Sequence, residues 1–189
     1  MTFRLSPPRI ATWRRTRTHE LADYGVFTVQ RHEMEDGAGK PRRAVHCFTC
    51  PDWCNVIALT PADEVVMIWQ YRFGTDTMTL EVPGGVIDPG EDPALAAERE
   101  LREESGFAAD GFELLVATEP NPALQGNRCF TYLARGARPA FETEFDDLEE
   151  CEPVLVPLDA LPRLLDEGAV THALVLCGLE RLLRRRALR

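Results

Sequence analysis

The stretch Gly84-Gly85-Val86-Ile87-Asp88-Pro89-Gly90-Glu91-Asp92-Pro93-Ala94-Leu95-Ala96-Ala97-Glu98-Arg99-Glu100-Leu101-Arg102-Glu103-Glu104-Ser105-Gly106-Phe107 decides how this chain is read. A loop rich in Gly and Pro passes into a helix. Asp92 is a good N-cap, and Pro93 suits the first helical position because its missing N–H would be unbonded there anyway. Gly106 closes the helix as a left-handed cap. Within it, Glu100, Glu103 and Glu104 follow the i, i+3, i+4 spacing and share one face. Like charges so placed destabilise a helix by about 0.2–0.5 kcal/mol per pair, and Arg102 is expected on a different face, unable to relieve them. The stripe therefore reads as a platform for a hard divalent cation, Mg²⁺ above all, which binds a few carboxylates and keeps positions open for phosphate oxygens. A solvated acidic face is the plainer alternative. Ala94, Ala97 and Leu101 form a neighbouring apolar face that would dock the helix on a sheet, and Gly84-Gly85 lets bare backbone approach the acids.

Outward from this stretch the chain reads as short strands followed by helices, an α+β or mixed α/β pattern without internal repeats. Alternating residues predict strands at 24–31 and 43–50, an N-terminal hairpin around the turn cluster Glu35-Asp36-Gly37-Ala38-Gly39. After Pro51-Asp52 come two near-continuous apolar runs, 55–59 and 64–71, as expected of a central sheet covered on both faces. A short strand at 78–82 leads into Pro83-Gly84-Gly85. Further strands are expected at 112–118, 128–134 and 153–156, and helices at 158–166 and 170–186.

The 189 residues suffice for one domain with a small appendage, and 44% hydrophobic with 28% charged residues is ordinary globular composition. Net charge is −10, while Arg4, Arg9, Arg14, Arg15 and Arg17 crowd one end and Arg181, Arg184, Arg185, Arg186 and Arg189 the other. The middle is thus more acidic than the total, which excludes unaided nucleic-acid binding and makes a cation necessary for any phosphorylated ligand. Apolar runs such as 65–69 and 173–177 fall far short of the roughly 20 residues that span a bilayer, so no membrane partner is expected. The Arg-rich beginning weakly resembles a transit peptide, but Pro7, Pro8 and the scarcity of serine argue against one. Six cysteines, at 47, 50, 54, 129, 151 and 177, without a secretory segment point to reduced thiols in the cytoplasm. Cys47, Cys50 and Cys54 beside His46 have a zinc-like spacing but straddle strand-like runs, and small buried side chains are the commoner fate of free cysteine.

The central stretch resembles the signature of the Nudix hydrolases, Gly-x5-Glu-x7-Arg-Glu-U-x-Glu-Glu-x-Gly-U with U apolar. Gly85, Glu91, Arg99, Glu100, Leu101, Glu103, Glu104, Gly106 and Phe107 fill every defined position. The resemblance implies an α/β/α sandwich on a mixed sheet and hydrolysis of a nucleoside diphosphate linked to another group. It implies that Glu100, Glu103 and Glu104, with a main-chain carbonyl near Gly84, hold Mg²⁺ or Mn²⁺, and that Arg99 pairs with Glu91 to orient the acids. Glu103 and Arg99 are accordingly also counted with the catalytic groups.

Beyond the signature, Gln70-Tyr71-Arg72 and Leu80-Glu81-Val82-Pro83-Gly84-Gly85 resemble the branch of ADP-ribose pyrophosphatases and nucleoside-diphosphate-sugar hydrolases. That likeness makes Arg72 a diphosphate clamp and Glu81 a metal or substrate contact. It also implies a small N-terminal β subdomain, residues 1–52, for dimerisation and substrate contact, beside a catalytic domain, 53–189, in a homodimer that exchanges the subdomain. Related enzymes carry a catalytic Glu on a mobile loop corresponding to the acidic run 142–152, where Glu149 matches best, ahead of Glu150 and Glu152; Glu152 is also carried as an orienting group. Among Trp13, Phe48 and Trp53, which are more often core than ligand contacts, Trp53 is the candidate to stack on a base. The segment Asn121-Pro122-Ala123-Leu124-Gln125-Gly126-Asn127 departs from the Ser-Pro-Gly of ADP-ribose enzymes and favours another sugar nucleotide. The expected reaction converts ADP-ribose or another nucleotide sugar into nucleoside monophosphate and sugar phosphate. Hydrolysis of NADH or a dinucleoside polyphosphate, or nucleotide binding without cleavage, are the alternatives.

Overall fold

A computed structural model describes residues 6–145 and 150–187. The chain divides into two compact units, the first comprising residues up to Cys50 together with Asn121–Gly126, the second Pro51–Pro120 and residues from Asn127 onward.

In the first unit, β1 (Arg14–Asp23), β2 (Thr28–Glu35) and β3 (Pro41–Thr49) form an antiparallel sheet in that order. The N-terminal element is thus three strands rather than the expected hairpin. Of the Arg-rich beginning that weakly resembled a presequence, residues 14–19 lie in β1, which is registered on β2 by Arg14–Glu35 and His19–Glu33 pairs at 2.6 and 2.9 Å. Residues 24–27, expected to begin a strand, instead form the turn into β2. Gly25 has φ 79° and its N–H donates to Asp23 Oδ1.

The second unit continues with β4 (Trp53–Leu59), β5 (Glu64–Arg72), β6 (Thr77–Glu81), α1 (Pro93–Ser105), β7 (Phe107–Ala108), β8 (Gly111–Thr118), β9 (Cys129–Arg135), β10 (Arg138–Pro139), β11 (Cys151–Pro157), α2 (Leu161–Asp166) and α3 (Ala173–Ala187). Its six-stranded sheet runs β11-β5-β4-β9-β8, with β6 also on β5, and β4 and β9 make its parallel pair. The two short strands β7 and β10, which the sequence pattern did not predict, pair with each other.

The continuous apolar runs are explained by burial on both faces. Val56, Ala58 and Val66 pack with Ala96, Ala97 and Leu101 of α1, whereas Ile57, Leu59, Val65 and Met67 pack with Leu161, Val175, Leu179 and Leu182 of α2 and α3. Alternate residues of one strand thus feed two cores, giving the α/β/α sandwich. Each fully buried Leu contributes about 1.5–3 kcal/mol relative to exposure. Helix α2 starts at Leu161 rather than 158, since the Leu158 N–H is committed to the Asp63 carbonyl and Pro162 shapes the first turn. Helix α3 starts at Ala173 rather than 170. No helix among the described residues is long and apolar enough to cross a membrane.

Candidate active site

The ends of α1 are built as its sequence dictates. Asp92 accepts the Ala94 N–H at 2.8 Å, a cap worth about 1 kcal/mol, and Gly106 turns left-handed at φ 72° with its N–H on the Arg102 carbonyl. The buried stripe differs from expectation. Ala96, Ala97 and Leu101 are buried while Ala94 is only partly so, and the stripe continues through Glu100 and Glu104, which are 6% and 1% exposed. Two of the three acids therefore lie beneath the Gly84-Gly85 loop instead of along an open edge.

That loop is clamped to β4 by hydrogen bonds from the Cys54 N–H to the Gly85 carbonyl (2.9 Å) and from the Val56 N–H to the Pro83 carbonyl (2.7 Å). Gly84 N–H donates to Glu104 Oε2 at 2.6 Å. A Cβ on Gly85 would lie 2.6 Å from Glu100 Oε1, and one on Gly84 would run into the Cys54 carbonyl oxygen. Both glycines are thus required by close approach, and the pocket they leave faces carboxylate oxygen.

Arg99 threads the acids together. Its Nε and Nη2 each reach Glu91 at 3.1 Å, Nη1 donates to Glu100 at 2.7 Å and Glu103 at 3.1 Å, and Nη2 also reaches the Val86 carbonyl. Hydrogen bonding to Arg99 and to the Asp88 N–H holds the Glu91 carboxyl below its ordinary range. The expectation that Arg102 could not relieve the stripe is corrected. Its Nη2 lies 3.0 Å from Glu103 Oε1, because a long guanidinium side chain reaches around the helix surface to its neighbour.

A second pair sits beside the first. Arg72 Nε and Nη2 donate to Glu81 Oε1 and Oε2, both at 2.8 Å, and Thr79 Oγ1 donates to Glu81 at 2.6 Å. Burial pushes the Glu81 carboxyl up, but these donors outweigh it and hold its pKa below the ordinary value. Arg72, Gly84, Gly85 and Trp53 line one cleft, together with Asn55, Val86, His172 and Leu174. Asn55 and His172 were missed by sequence reasoning, since a lone Asn in an apolar strand and a lone His before a helix carry no spacing signal.

The remaining candidates lie elsewhere. Glu149 is outside the described residues. Glu150 is exposed just before β11. Glu152 is exposed on β11 and adjacent to Cys151, whose Sγ is 3.6 Å from Glu104 Oε1, so strand alternation turns Glu152 toward the opposite face. Glu144 joins the helix, its N–H on the Glu103 carbonyl at 2.9 Å. Trp13 and Phe48 belong to the first unit and are partly exposed.

Glu100 and Glu104 lie beneath a double-glycine turn, Glu104 held by the Gly84 N–H and Glu100 tied through Arg99 to Glu91, as the signature implies, and a NUDIX domain model matches residues 53–177. The chain belongs to the Nudix family. As a Nudix pyrophosphohydrolase it resembles the methanol dehydrogenase activator of Bacillus methanolicus, 31% identical over 142 residues, 71% of this chain and 75% of that protein. It also resembles the ADP-ribose pyrophosphatase of Mycobacterium tuberculosis, 29% identical over 158 residues, 81% and 74% of the two chains. A crystal structure of an ADP compounds hydrolase has the same fold, with TM-score 0.80 at 24% identity over 95% of this chain and 96% of that one.

The Nudix acids suit a hard cation by chemistry, being all oxygen donors beside a cradle that any Cβ would fill. No group of three or more His, Cys, Asp or Glu among the described residues is already drawn together as a cation site. The Arg99 guanidinium lies among the acids instead, supplying part of the positive charge they require.

Proposed function

We propose that this Nudix enzyme hydrolyses the diphosphate of a nucleotide sugar, ADP-ribose or a relative, to nucleoside monophosphate and sugar phosphate. The observation that carries the reading is the burial of Glu100 and Glu104 against Gly84 and Gly85, within reach of a cleft that also holds Arg72. The pyrophosphatase relative supports the substrate class.

In this reading Glu100, Glu103, Glu104 and the Gly84 carbonyl hold Mg²⁺ or Mn²⁺. When bound, the cation neutralises the diphosphate and lowers the pKa of attacking water. Arg99 fixes Glu100 and Glu103, with Glu91 anchoring Arg99 in turn. Arg72, held on one edge by Glu81, offers the rest of its guanidinium to a phosphate oxygen. Trp53 supplies an aromatic wall to the cleft. Glu149 is the proposed general base, with Glu150 next; Glu152, turned to the opposite face of β11, is not assigned that role. We assign residues 1–52 to dimerisation by exchange and to substrate contact, supported by the apolar surface that Trp13, Leu21, Tyr24 and Val26 leave exposed. A cytoplasmic location is supported by the free cysteines.

The test is incubation with Mg²⁺ and a panel of ADP-ribose, other nucleotide sugars and NADH, with products separated by chromatography. Nucleoside monophosphate plus sugar phosphate is expected, and Glu104→Gln should abolish turnover with the fold intact. Turnover unchanged in that variant removes Glu104 from the site.

A further inference from the structure

His172 is the titratable group in the cleft that the mechanism above leaves without a task. Its backbone is fixed by the first turn of α3, since the His172 carbonyl accepts the Leu176 N–H at 3.0 Å. Its ring is held edge-on. Nδ1 is fully buried, has no hydrogen-bond partner, and faces Glu81 Oε2 at 3.9 Å, too long for a hydrogen bond but close enough for attraction. The side chain is nevertheless 34% exposed, so the exposed surface belongs to the ring's other edge, which carries Nε2 and contributes to the cleft wall. The two edges have different chemistry. Glu81 is an acceptor, which favours the proton on Nδ1, and Arg72 beside it disfavours a second one. The outer nitrogen is then an acceptor. Phosphate oxygens are acceptors too and gain nothing from it. A sugar hydroxyl does.

Resting on the nucleotide-sugar reading, we propose that His172 is a substrate-positioning residue whose outer ring edge accepts a hydrogen bond from a sugar hydroxyl. It selects hydroxyl-bearing diphosphates over bare pyrophosphate.

The experiment measures kcat and KM for ADP-ribose, calorimetric binding of ADP-ribose, and competitive inhibition by inorganic pyrophosphate, in wild type and three variants. His172→Ala should raise KM and Kd about tenfold, the loss of one hydrogen bond of about 1.4 kcal/mol, with kcat within about threefold. Pyrophosphate inhibition should stay within about twofold. His172→Gln, which keeps a polar group at the outer edge, should restore most of the affinity, whereas His172→Asn, which keeps one only at the inner edge, should not. Unchanged KM in His172→Ala, equal weakening of pyrophosphate, or rescue by Asn as good as by Gln would each overturn the assignment. A wild type that cleaves nothing sinks the hydrolase reading instead, and the calorimetry then decides on His172 separately. Tenfold weaker binding in His172→Ala keeps the assignment, and absence of ADP-ribose binding by wild type removes it.

Discussion

Gly84 and Glu104 are joined by a 2.6 Å hydrogen bond from a loop N–H to a carboxylate twenty residues later on α1. The bond fixes the acid against bare backbone, and it makes the two glycines of the loop unequal. A Cβ on Gly84 would meet the Cys54 carbonyl and Asn55 Oδ1, groups of the buried strand β4, whereas one on Gly85 would meet only the far end of Glu100.

Gly84→Ala should therefore act on stability. Strand backbone cannot retreat, and overpacking of this kind costs about 1–3 kcal/mol. Gly85→Ala should act on activity, because the Glu100 carboxylate can swing aside at little cost to folding but leaves its place in the acid cluster. Thermal unfolding and turnover measured on both variants check this. A larger drop in melting temperature for Gly85→Ala than for Gly84→Ala would contradict it.

Arg99 makes five hydrogen bonds to three carboxylates and one carbonyl. A lysine ammonium keeps the charge but cannot present two parallel donors to Glu91 while reaching Glu100 and Glu103. Arg99→Lys should weaken the apparent Mg²⁺ affinity in turnover assays by about 10–100-fold, the usual cost of losing a group that orients metal ligands. Activity restored at high Mg²⁺ is the expected signature, and an unaltered Mg²⁺ titration would count against it.

The helix, its caps and the face holding three acids were legible because each depends on short-range spacing: Asp92, Pro93 and Gly106 act within one turn. The two-sided sheet was legible from the runs at 55–59 and 64–71. What escaped is long-range or reach-dependent. Strand β1 carries Arg at 14, 15 and 17 and exposes most of its residues, so no apolar alternation marked it, and its partner ion pairs lie on β2. Arg102 reaching Glu103 is a rotamer choice invisible to helical-wheel geometry. His172 enters the cleft only because α3 delivers it there from about ninety residues beyond Glu81.

The pair Arg72–Glu81 gives the fold a pH signature with a definite sign. Glu81 is 2% exposed and its folded pKa lies below the ordinary value of 4.5. Its contribution to stability is thus fully present above that value and is lost as pH falls through the lower, folded pKa. Arg72→Ala leaves a buried carboxylate with Thr79 and loses its cation. Breaking a buried pair costs about 3–5 kcal/mol, and the lower end is expected because Arg72 is 40% exposed. The deficit should appear in denaturant unfolding at pH 7 and shrink below about pH 4. Glu81→Gln combined with Arg72→Ala should cost less than the sum of the single changes. A deficit that grows in acid would reverse the argument.

Cysteine chemistry offers a test independent of activity. Burial pushes the Cys54 and Cys129 thiols up to about 12, Glu100 adding to the effect at Cys54. At pH 8 a thiol four units below its pKa is ionised only about once in 10⁴, and the thiolate is the species that both alkylates and binds zinc. Cys177, by contrast, is exposed on α3. Brief treatment of the native protein with iodoacetamide at pH 8 should mark Cys177 first and leave Cys54 and Cys129 unmodified until denaturant is added, as read by peptide mapping. Since Cys54 would have to surrender its proton to complete the Cys47, Cys50, Cys54 set, zinc measured after purification should fall well below one ion per chain. A stoichiometric ion, or alkylation of Cys54 as fast as Cys177, would show that β4 opens in a way that the sealed position of the Cys54 side chain between the sheet and α1 does not allow.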